Sequence, residues 1–274
     1  MILITGTKGF IGSNLKEKLN QIDKIMTLEE SIFNENDWSF FMEEFLNKKK
    51  PKAIFHVGAC SNTLETDVNY IMTRNFMSTK ILTDWAKINK IPIIYSSSAA
   101  NYGDNDKYPS NLYGWSKYVG EQYVISNGGV ALRYFNVYGP GEEYKEKMAS
   151  ICYQSWLFKK MEKNNFKLFP KKPTRDFVYI KDVIDANIHA WKNYENISGK
   201  YYEVGSGVSR TFEDILDFID LNYKYLEESK IPKGYQFYTK SNPNKWMPNW
   251  EPKYSLELGL TDYLQYLKKN YIVH

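Results

Sequence analysis

The sequence predicts an α/β protein: a doubly wound parallel sheet joined to a smaller, mixed α/β lobe drawn from the C-terminal half. Three observations predict it. Short apolar runs alternate with amphipathic stretches over the first half of the 274 residues, the rhythm of a parallel sheet covered by helices. A glycine turn, Gly6-x-x-Gly9-x-x-Gly12, joins the first run to the first amphipathic stretch. Beyond about Gly139 the rhythm breaks up, and Pro232, Pro243, Pro248 and Pro252 cut the chain into short pieces before a last helix.

In order, "MILIT" (1–5) reads as a buried strand, and "FIGSNLKEKLNQ" (10–21) as a helix with Phe10, Ile11, Leu15 and Leu19 on one side. "KIMTL" (24–28) is a second strand. "DWSFFMEEFLNKK" (37–49) is a second helix with Asp37 as its N-cap. A third strand follows at 53–58, a long helix at 67–89, and a fourth strand, "IPIIYSSS", at 91–98. The helix 113–126 and the strand 129–135 complete the first lobe. Further on, 145–163 reads as helical, 166–169 as a short strand, 175–194 as a strand–helix pair, and 255–270 as the last helix. The lobes are expected to interleave: 1–138 with about 175–205 as the first, the sheet lobe that carries the glycine turn, and 139–174 with 206–274 as the second, smaller one. No internal repeat is visible.

Composition narrows the function. With 43% hydrophobic and 25% charged residues the chain is globular, and no apolar run approaches the roughly 20 residues of a membrane span. The net charge of +4 suits a small anionic substrate and falls short of a nucleic-acid footprint. Two cysteines, Cys60 and Cys152, and three histidines give neither a disulfide framework nor a metal-ligand spacing. The start "MILITGTKGF" lacks the charged head and long apolar stretch of a signal peptide, which predicts a cytoplasmic protein.

The glycine turn directly follows a strand and opens a helix, the context of a Rossmann dinucleotide-binding turn. Its glycines allow a tight bend and let Gly6, Gly9, Phe10, Ile11 and Gly12 approach a pyrophosphate at the helix N-terminus. Glu29, at the end of the second strand and 17 residues past Gly12, is placed to hold the adenosine ribose. A carboxylate there favours NAD; Lys8 inside the turn favours the 2′-phosphate of NADP. Both cofactors stay open. Ser98 ends the fourth strand, where ligands of open α/β sheets bind, 15 residues before Tyr113. In "SNLYGWSKYVGEQ" (110–122), Tyr113 and Lys117 lie four apart, on one helical face. A free phenol has a pKa of about 10. A neighbouring ammonium lowers it toward general-base use. Tyr113 then removes a proton from an alcohol while Ser98 steadies the same oxygen.

Glycine turn, strand-end serine and Tyr-x-x-x-Lys in this order resemble the extended short-chain dehydrogenase/reductases that act on nucleotide sugars. "IFHVGACSNT" (54–63), "SSSAANYG" (96–103), "RYFNVYGP" (133–140), "KMAS" (147–150), "RDFVYIKDV" (175–183) and "KGYQ" (233–236) are similar to ADP-glyceromanno-heptose 6-epimerases almost end to end. The resemblance implies a nucleotide-diphosphate sugar as substrate, one tightly bound NAD or NADP, and a homo-oligomer. It implies a second base, Lys145, working on the opposite face from Tyr113. It also implies that Gly58, Ala59, Ser61, Asn75 and Val137 line the cofactor. Substrate contacts fall to Asn136, Lys147, Gln154, Phe169, Arg175 and Tyr235, with Arg175 gripping phosphate oxygens.

Some positions depart from that family. Lys147 stands where a small serine is usual, and Gln154 where histidine is usual. The loops before Tyr113 and before Arg175 are short. Ala99 and Ala100 replace the acid pair a dehydratase needs. The reading is therefore a nucleotide-sugar epimerase using transient oxidation, with the heptose 6-epimerase as its sharpest form. A 4-epimerase or reductase of another UDP- or GDP-sugar is the alternative. A non-catalytic nucleotide sensor is the alternative of another class, and the intact Ser98, Tyr113 and Lys117 set argues against it.

Overall fold

The structure, a computed structural model, describes residues 1–28, 30–104, 107–163, 165–231 and 235–271, and for Glu146 and Lys147 the backbone alone. The chain opens with β1 (Ile2–Thr5), α1 (Phe10–Asn20), β2 (Ile25–Leu28), α2 (Trp38–Lys49) and β3 (Ala53–His56). Next, α3 (Val68–Met72) runs through a π-helical turn at Thr73–Met77 into α4 (Ser78–Asn89), followed by β4 (Ile93–Ser98), α5 (Leu112–Ser126) and β5 (Val130–Tyr134). The second half holds β6 (Asn136–Tyr138), α6 (Ile151–Lys160), β7 (Phe166–Leu168), β8 (Thr174–Tyr179), α7 (Ile180–Lys192), α8 (Tyr194–Ile197) and β9 (Lys200–Val204). It ends with β10 (Ser209–Thr211), α9 (Phe212–Ile219), β11 (Tyr223–Tyr225) and α10 (Leu256–Asn270).

The central sheet has the order β2-β1-β3-β4-β5-β9. Its pairs β1–β2, β1–β3 and β3–β4 run parallel, with Leu3 opposite Met26 on one side and Ile54 on the other. Every residue of β1, β3 and β5 is buried. That is why these strands are continuous apolar runs rather than alternating ones. The chain leaves β1 for β2 on one side and returns for β3 on the other, so the strand order reverses beside β1. Ligands of such sheets bind at that reversal, beyond the carboxyl ends of the strands.

The chain divides into two compact units: residues 1–133, 184–203 and 247–250, and residues 134–183, 204–246 and 251–274. The 175–205 stretch is shared, β8 counting with the second unit and most of α7 with the first. In the second unit β8 pairs β10 antiparallel and β6 parallel, while β7 and β11 form a separate parallel pair. No helix among the described residues is long and apolar enough to cross a membrane.

Several local expectations need correction. Asp37 occupies the N-cap position of α2, yet its side chain makes no capping bond. The expected helix over 145–163 begins later. Glu143–Met148 is a 3₁₀ turn, and Ser150 starts α6 by accepting a bond from the Tyr153 N–H at 3.4 Å. Six elements were not legible in the sequence: β6, α8, β9, β10, β11 and α9. The last starts with a reciprocal capping box between Thr211 and Asp214.

Candidate active site

The glycine turn is a cradle with no room for side chains. Gly6 has φ +70°, and a Cβ there would lie 2.5 Å from Gly58 Cα. A Cβ on Gly12 would lie 2.0 Å from the Gly6 carbonyl oxygen. Both distances are far inside van der Waals contact, so the β1 loop meets the β3 loop at Gly6, and α1 at Gly12, only because neither residue has a side chain. Gly9 is the N-cap of α1, with no capping side-chain bond and no acid in the first turn. Phe10 is buried beneath the turn, and Ile11 is partly so. A helix start of this kind offers its N–H groups and dipole to a phosphate. Glu29 lies outside the described residues.

A buried chain of hydrogen bonds fixes the β3 loop. The Gly58 N–H donates to Thr5 Oγ1 (2.9 Å), which lies 2.8 Å from His56 Nδ1; His56 Nε2 lies 2.8 Å from Thr79 Oγ1, which donates to the Asn75 carbonyl (2.7 Å). Thr79 spends its hydrogen on Asn75, so it accepts from His56 Nε2–H, and Nδ1 accepts from Thr5. The imidazole is thus neutral, with burial pushing its pKa down to about 3. Asn75 sits in the π-helical turn at 1% exposure. Its amide accepts from the Cys60 N–H (2.7 Å) and donates to the Cys60 carbonyl (3.0 Å) and to Ser116 Oγ (2.9 Å). It braces the loop that carries Ala59 and Ser61, which are themselves exposed. The expectation of a cofactor contact for Asn75 meets an amide already engaged on both its ends.

Helix α5 carries the tyrosine–lysine pair. Asn111 caps it by accepting from the Gly114 N–H at 2.8 Å. Its buried face includes Gly114, Ser116, Lys117, Gly120 and Glu121, polar or without a side chain rather than greasy. The glycines permit close approach: a Cβ on Gly114 would lie 2.8 Å from the Ala100 carbonyl oxygen, and one on Gly120 2.6 Å from the Tyr95 hydroxyl. Helix α5 is thereby pressed against β4 and the turn after Ser98.

Lys117 is 3% exposed, and its ammonium lies over the Tyr95 ring, 4.2 Å from the centroid. Burial pushes its pKa down to about 7, with the Glu121 charge pulling the other way. The ring face stabilises a cation but replaces little of its lost hydration. Tyr113 is partly exposed. Burial raises its pKa, a Ser98 hydrogen bond lowers it, and Cys60 nearby raises it. The sequence predicts that Lys117 brings the phenol down; in the structure desolvation is the largest influence on Tyr113, and it raises the pKa.

The second unit places the remaining candidates. Asn136 and Val137 lie on β6 opposite Phe177 and Val178. Thr239 Oγ1 donates to Asn136 Oδ1 (3.3 Å) and accepts from the Asp176 N–H (3.0 Å). Arg175, 8% exposed, has its guanidinium 5.1 Å from the Tyr235 ring centroid and 5.6 Å from that of Phe212. Phe169 meets Tyr235 edge to face at 5.1 Å. Phe169, Arg175 and Tyr235 are therefore one cluster, with Tyr235 brought to the 169–175 segment from far along the sequence. Gln154 Nε2 donates to the Ala149 carbonyl at 2.7 Å. Lys145 is in the Glu143–Met148 turn, its N–H bonded to the Glu142 carbonyl (2.9 Å); burial lowers its pKa and the Glu142 charge raises it. For Lys147 the backbone alone is described, in the same turn.

Sequence reasoning missed the supports of these groups: Thr5, His56, Thr79, Tyr95, Ser116, Glu121 and Arg133 in the first unit, Glu142 and Asp176 in the second. Only Glu121 carried a signal, since it lies four residues past Lys117 on the same face.

Comparison with known proteins places the chain. Residues 2–205 match the NAD dependent epimerase/dehydratase family. The chain is 32% identical to ADP-L-glycero-D-manno-heptose-6-epimerase of Brachyspira hyodysenteriae over 98% of both proteins. It superposes on the crystal structure of the Helicobacter pylori ADP-L-glycero-D-manno-heptose-6-epimerase with a TM-score of 0.84 and 28% identity, covering 97% of this chain and 96% of that one. UDP-glucose 4-epimerase of Thermotoga maritima, at 24% identity, TM-score 0.84 and 98% coverage of both chains, has the same fold.

Proposed function

We propose a function from a settled premise: this chain belongs to the NAD dependent epimerase/dehydratase family. It is an NAD(P)-dependent nucleotide-sugar epimerase, and its substrate is an ADP-glycero-manno-heptose inverted at C6. The observation that carries the enzymatic reading is the Ser98, Tyr113 and Lys117 set on β4 and α5, with Lys117 buried and its pKa brought to about 7. A buried cation without a carboxylate bonded to it is an expensive feature for a purely structural protein.

The cradle fits the pyrophosphate of a nicotinamide dinucleotide, since its glycines leave the space a Cβ would fill. Gly6, Gly9 and Gly12 with the α1 N-terminus hold it, and Gly58, Ala59 and Ser61 line it. When bound, this cofactor supplies reversible hydride acceptance. The protein supplies the proton chemistry. Tyr113 Oη takes the proton of the sugar hydroxyl and returns it, Ser98 Oγ holds the same oxygen, and the Lys117 ammonium favours the phenolate. Lys145 is the second acid/base group, made easier to deprotonate by its burial. Arg175, stacked on Tyr235 and supported by Phe169, grips the diphosphate. Asn136, Lys147 and Gln154 contact the sugar, and Val137 the cofactor. The first unit is the cofactor domain and the second the substrate lobe. The enzyme works as a homo-oligomer in the cytoplasm, consistent with two unpaired cysteines.

One feature favours a second reading. Lys147 replaces the small serine usual in heptose epimerases, which would suit a different sugar, such as a hexose inverted at C4. The test offers ADP-D-glycero-D-manno-heptose, UDP-galactose and GDP-mannose separately and follows the sugar protons by NMR. Inversion at C6 of the heptose, lost in Lys145→Met, is the expected result. Conversion of a hexose at C4, with Lys145→Met unaffected, overturns the heptose assignment.

A further inference from the structure

Resting on the reading of Tyr113 and Lys117 as the working groups, we propose that Glu121 is a positioning residue. Its buried carboxylate ties the strand end that carries Ser98 to the helix that carries Tyr113 and Lys117. Glu121 is fully buried on α5, one turn beyond Lys117 and two beyond Tyr113. Its Oε2 accepts from Ser97 Oγ (2.7 Å), Asn101 Nδ2 (3.1 Å) and Arg133 Nε (2.7 Å); its Oε1 accepts from Arg133 Nη2 (2.5 Å) and Gln122 Nε2 (3.2 Å). Ser97 and Asn101 stand on either side of Ser98 in sequence, and Asn101 Nδ2 also donates to Ser97 Oγ at 3.0 Å. One carboxylate thus grips both flanks of the Ser98 segment.

The carboxylate has no freedom to drift. Arg133 holds it bidentately from β5, and the guanidinium is itself clamped between the rings of Tyr102 (4.6 Å) and Tyr201 (3.8 Å). The Tyr102 hydroxyl is anchored in turn by donating to Glu203 Oε1. As a packing device this cluster is unnecessary. Apolar side chains of similar volume fill such a space as stably as a buried ion pair, or more so. What they cannot do is hold Ser97 and Asn101 in register with α5. Near-attack geometry is strict, and a displacement of about 1 Å costs about a hundredfold in rate.

A second consequence is electrostatic. The groups that act on the Lys117 ammonium are His56 from β3, Tyr95 from β4, and Glu121 from its own helix, with Tyr113 one turn before it. His56 is neutral, so Glu121 is the group that favours the charged lysine.

The double variant Glu121→Met/Arg133→Met removes both charges and leaves none unpaired. Its crystal structure should show Ser98 Oγ displaced from the Tyr113 hydroxyl by about 1 Å. Its kcat on whichever nucleotide sugar the wild type converts should fall about 10- to 100-fold, with KM nearly unchanged. In Glu121→Gln, the Cε carbon of ¹³C-labelled Lys117 should titrate at lower pH than in the wild type, and Glu121→Asp should restore part of that shift. An unchanged Ser98–Tyr113 separation with wild-type kcat, or an unmoved Lys117 titration, overturns the proposal. Should the double variant not fold, the crystal structure of Glu121→Gln decides, with displacement of Ser98 Oγ from the Tyr113 hydroxyl as the readout and an unmoved Ser98 as the overturning result. Tyr113→Phe separates the two readings. If it turns over normally, the functional reading fails; if it is inactive while the Glu121 variants behave as wild type, only this inference fails.

Discussion

Two cations are buried in the first unit, a few ångströms of side chain from the same helix, and they are treated oppositely. Arg133 at 5% exposure is met by a bidentate carboxylate and two aromatic faces, and its pKa is raised. Lys117 at 3% exposure is met by one aromatic face, and its pKa falls to about 7. The first charge is saturated and belongs to the framework. The second is left short of partners, so that its proton can be influenced by whatever binds beside it. The two charges differ by the number of groups that satisfy them, not by depth of burial, and the less satisfied one is the proposed working charge.

Four experiments test that contrast. The largest effect is expected where the working charge acts. Tyr113→Phe deletes one oxygen and should lower turnover about 10²–10⁴-fold while leaving the circular dichroism spectrum and cofactor content unchanged. Retained turnover would mean that Lys117 is poised for nothing.

Arg133→Met removes the saturated charge and leaves the buried Glu121 carboxylate without a countercharge. Denaturant titration should show a loss of about 3–5 kcal/mol. A loss under about 1 kcal/mol would put the pair on the same footing as a surface ion pair, where little is at stake.

Lys117→Met should be nearly inactive and yet more stable than the wild type. The folded pKa of about 7 lies below the ordinary lysine value of 10.5, so the unfolded chain binds an extra proton between these limits. Native stability from this group is therefore full above pH 10.5 and lost as pH falls through 7, by up to about 1.4 kcal/mol per unit. The stability gained by the methionine variant should be greatest below pH 7 and shrink toward pH 10. Equal gains at both ends would mean that the lysine is not desolvated.

The smallest effect at neutral pH concerns His56. Its folded pKa of about 3 lies below the ordinary 6.5, so it destabilises the fold only as pH drops from 6.5 toward 3. Melting temperatures of His56→Asn and wild type, taken across that range, should converge as the pH falls. Parallel curves would show that the imidazole does not stay neutral.

Much of the first unit was legible because its signals are local. The runs 1–5, 53–58 and 91–98 are continuous apolar stretches and became β1, β3 and β4, buried on both faces. The Gly6–Gly12 turn could be read because backbone conformation at Gly6, at φ +70°, selects the residue type directly. By contrast, Lys200–Val204 (KYYEV) has no strong strand pattern of its own, and it became the sixth strand of the central sheet by pairing at the open edge of β5. The 3₁₀ turn over 143–148 escaped notice for a related reason. Glu142 draws the chain inward there by accepting from the Gly139 and Ser150 N–H groups, a folded loop that helical periodicity cannot foresee.

Local sequence specified the parallel α/β alternation and the glycine turn, and it named Ser98, Tyr113 and Lys117 as the set proposed above to act. The strand runs, the glycine turn and the Tyr113–Lys117 pair each depend on residues within a few positions of one another, and Ser98 on its place at a strand end. Folding in three dimensions set Lys117 on the Tyr95 ring with its pKa near neutrality, and raised Tyr113 rather than lowering it. It alone joined Glu121 to Arg133, Ser97 and Asn101, and Thr5 to His56 across 51 residues. Desolvation and hydrogen-bond saturation are sums over neighbours in space, and those neighbours come from strands and helices that meet only once the chain has folded.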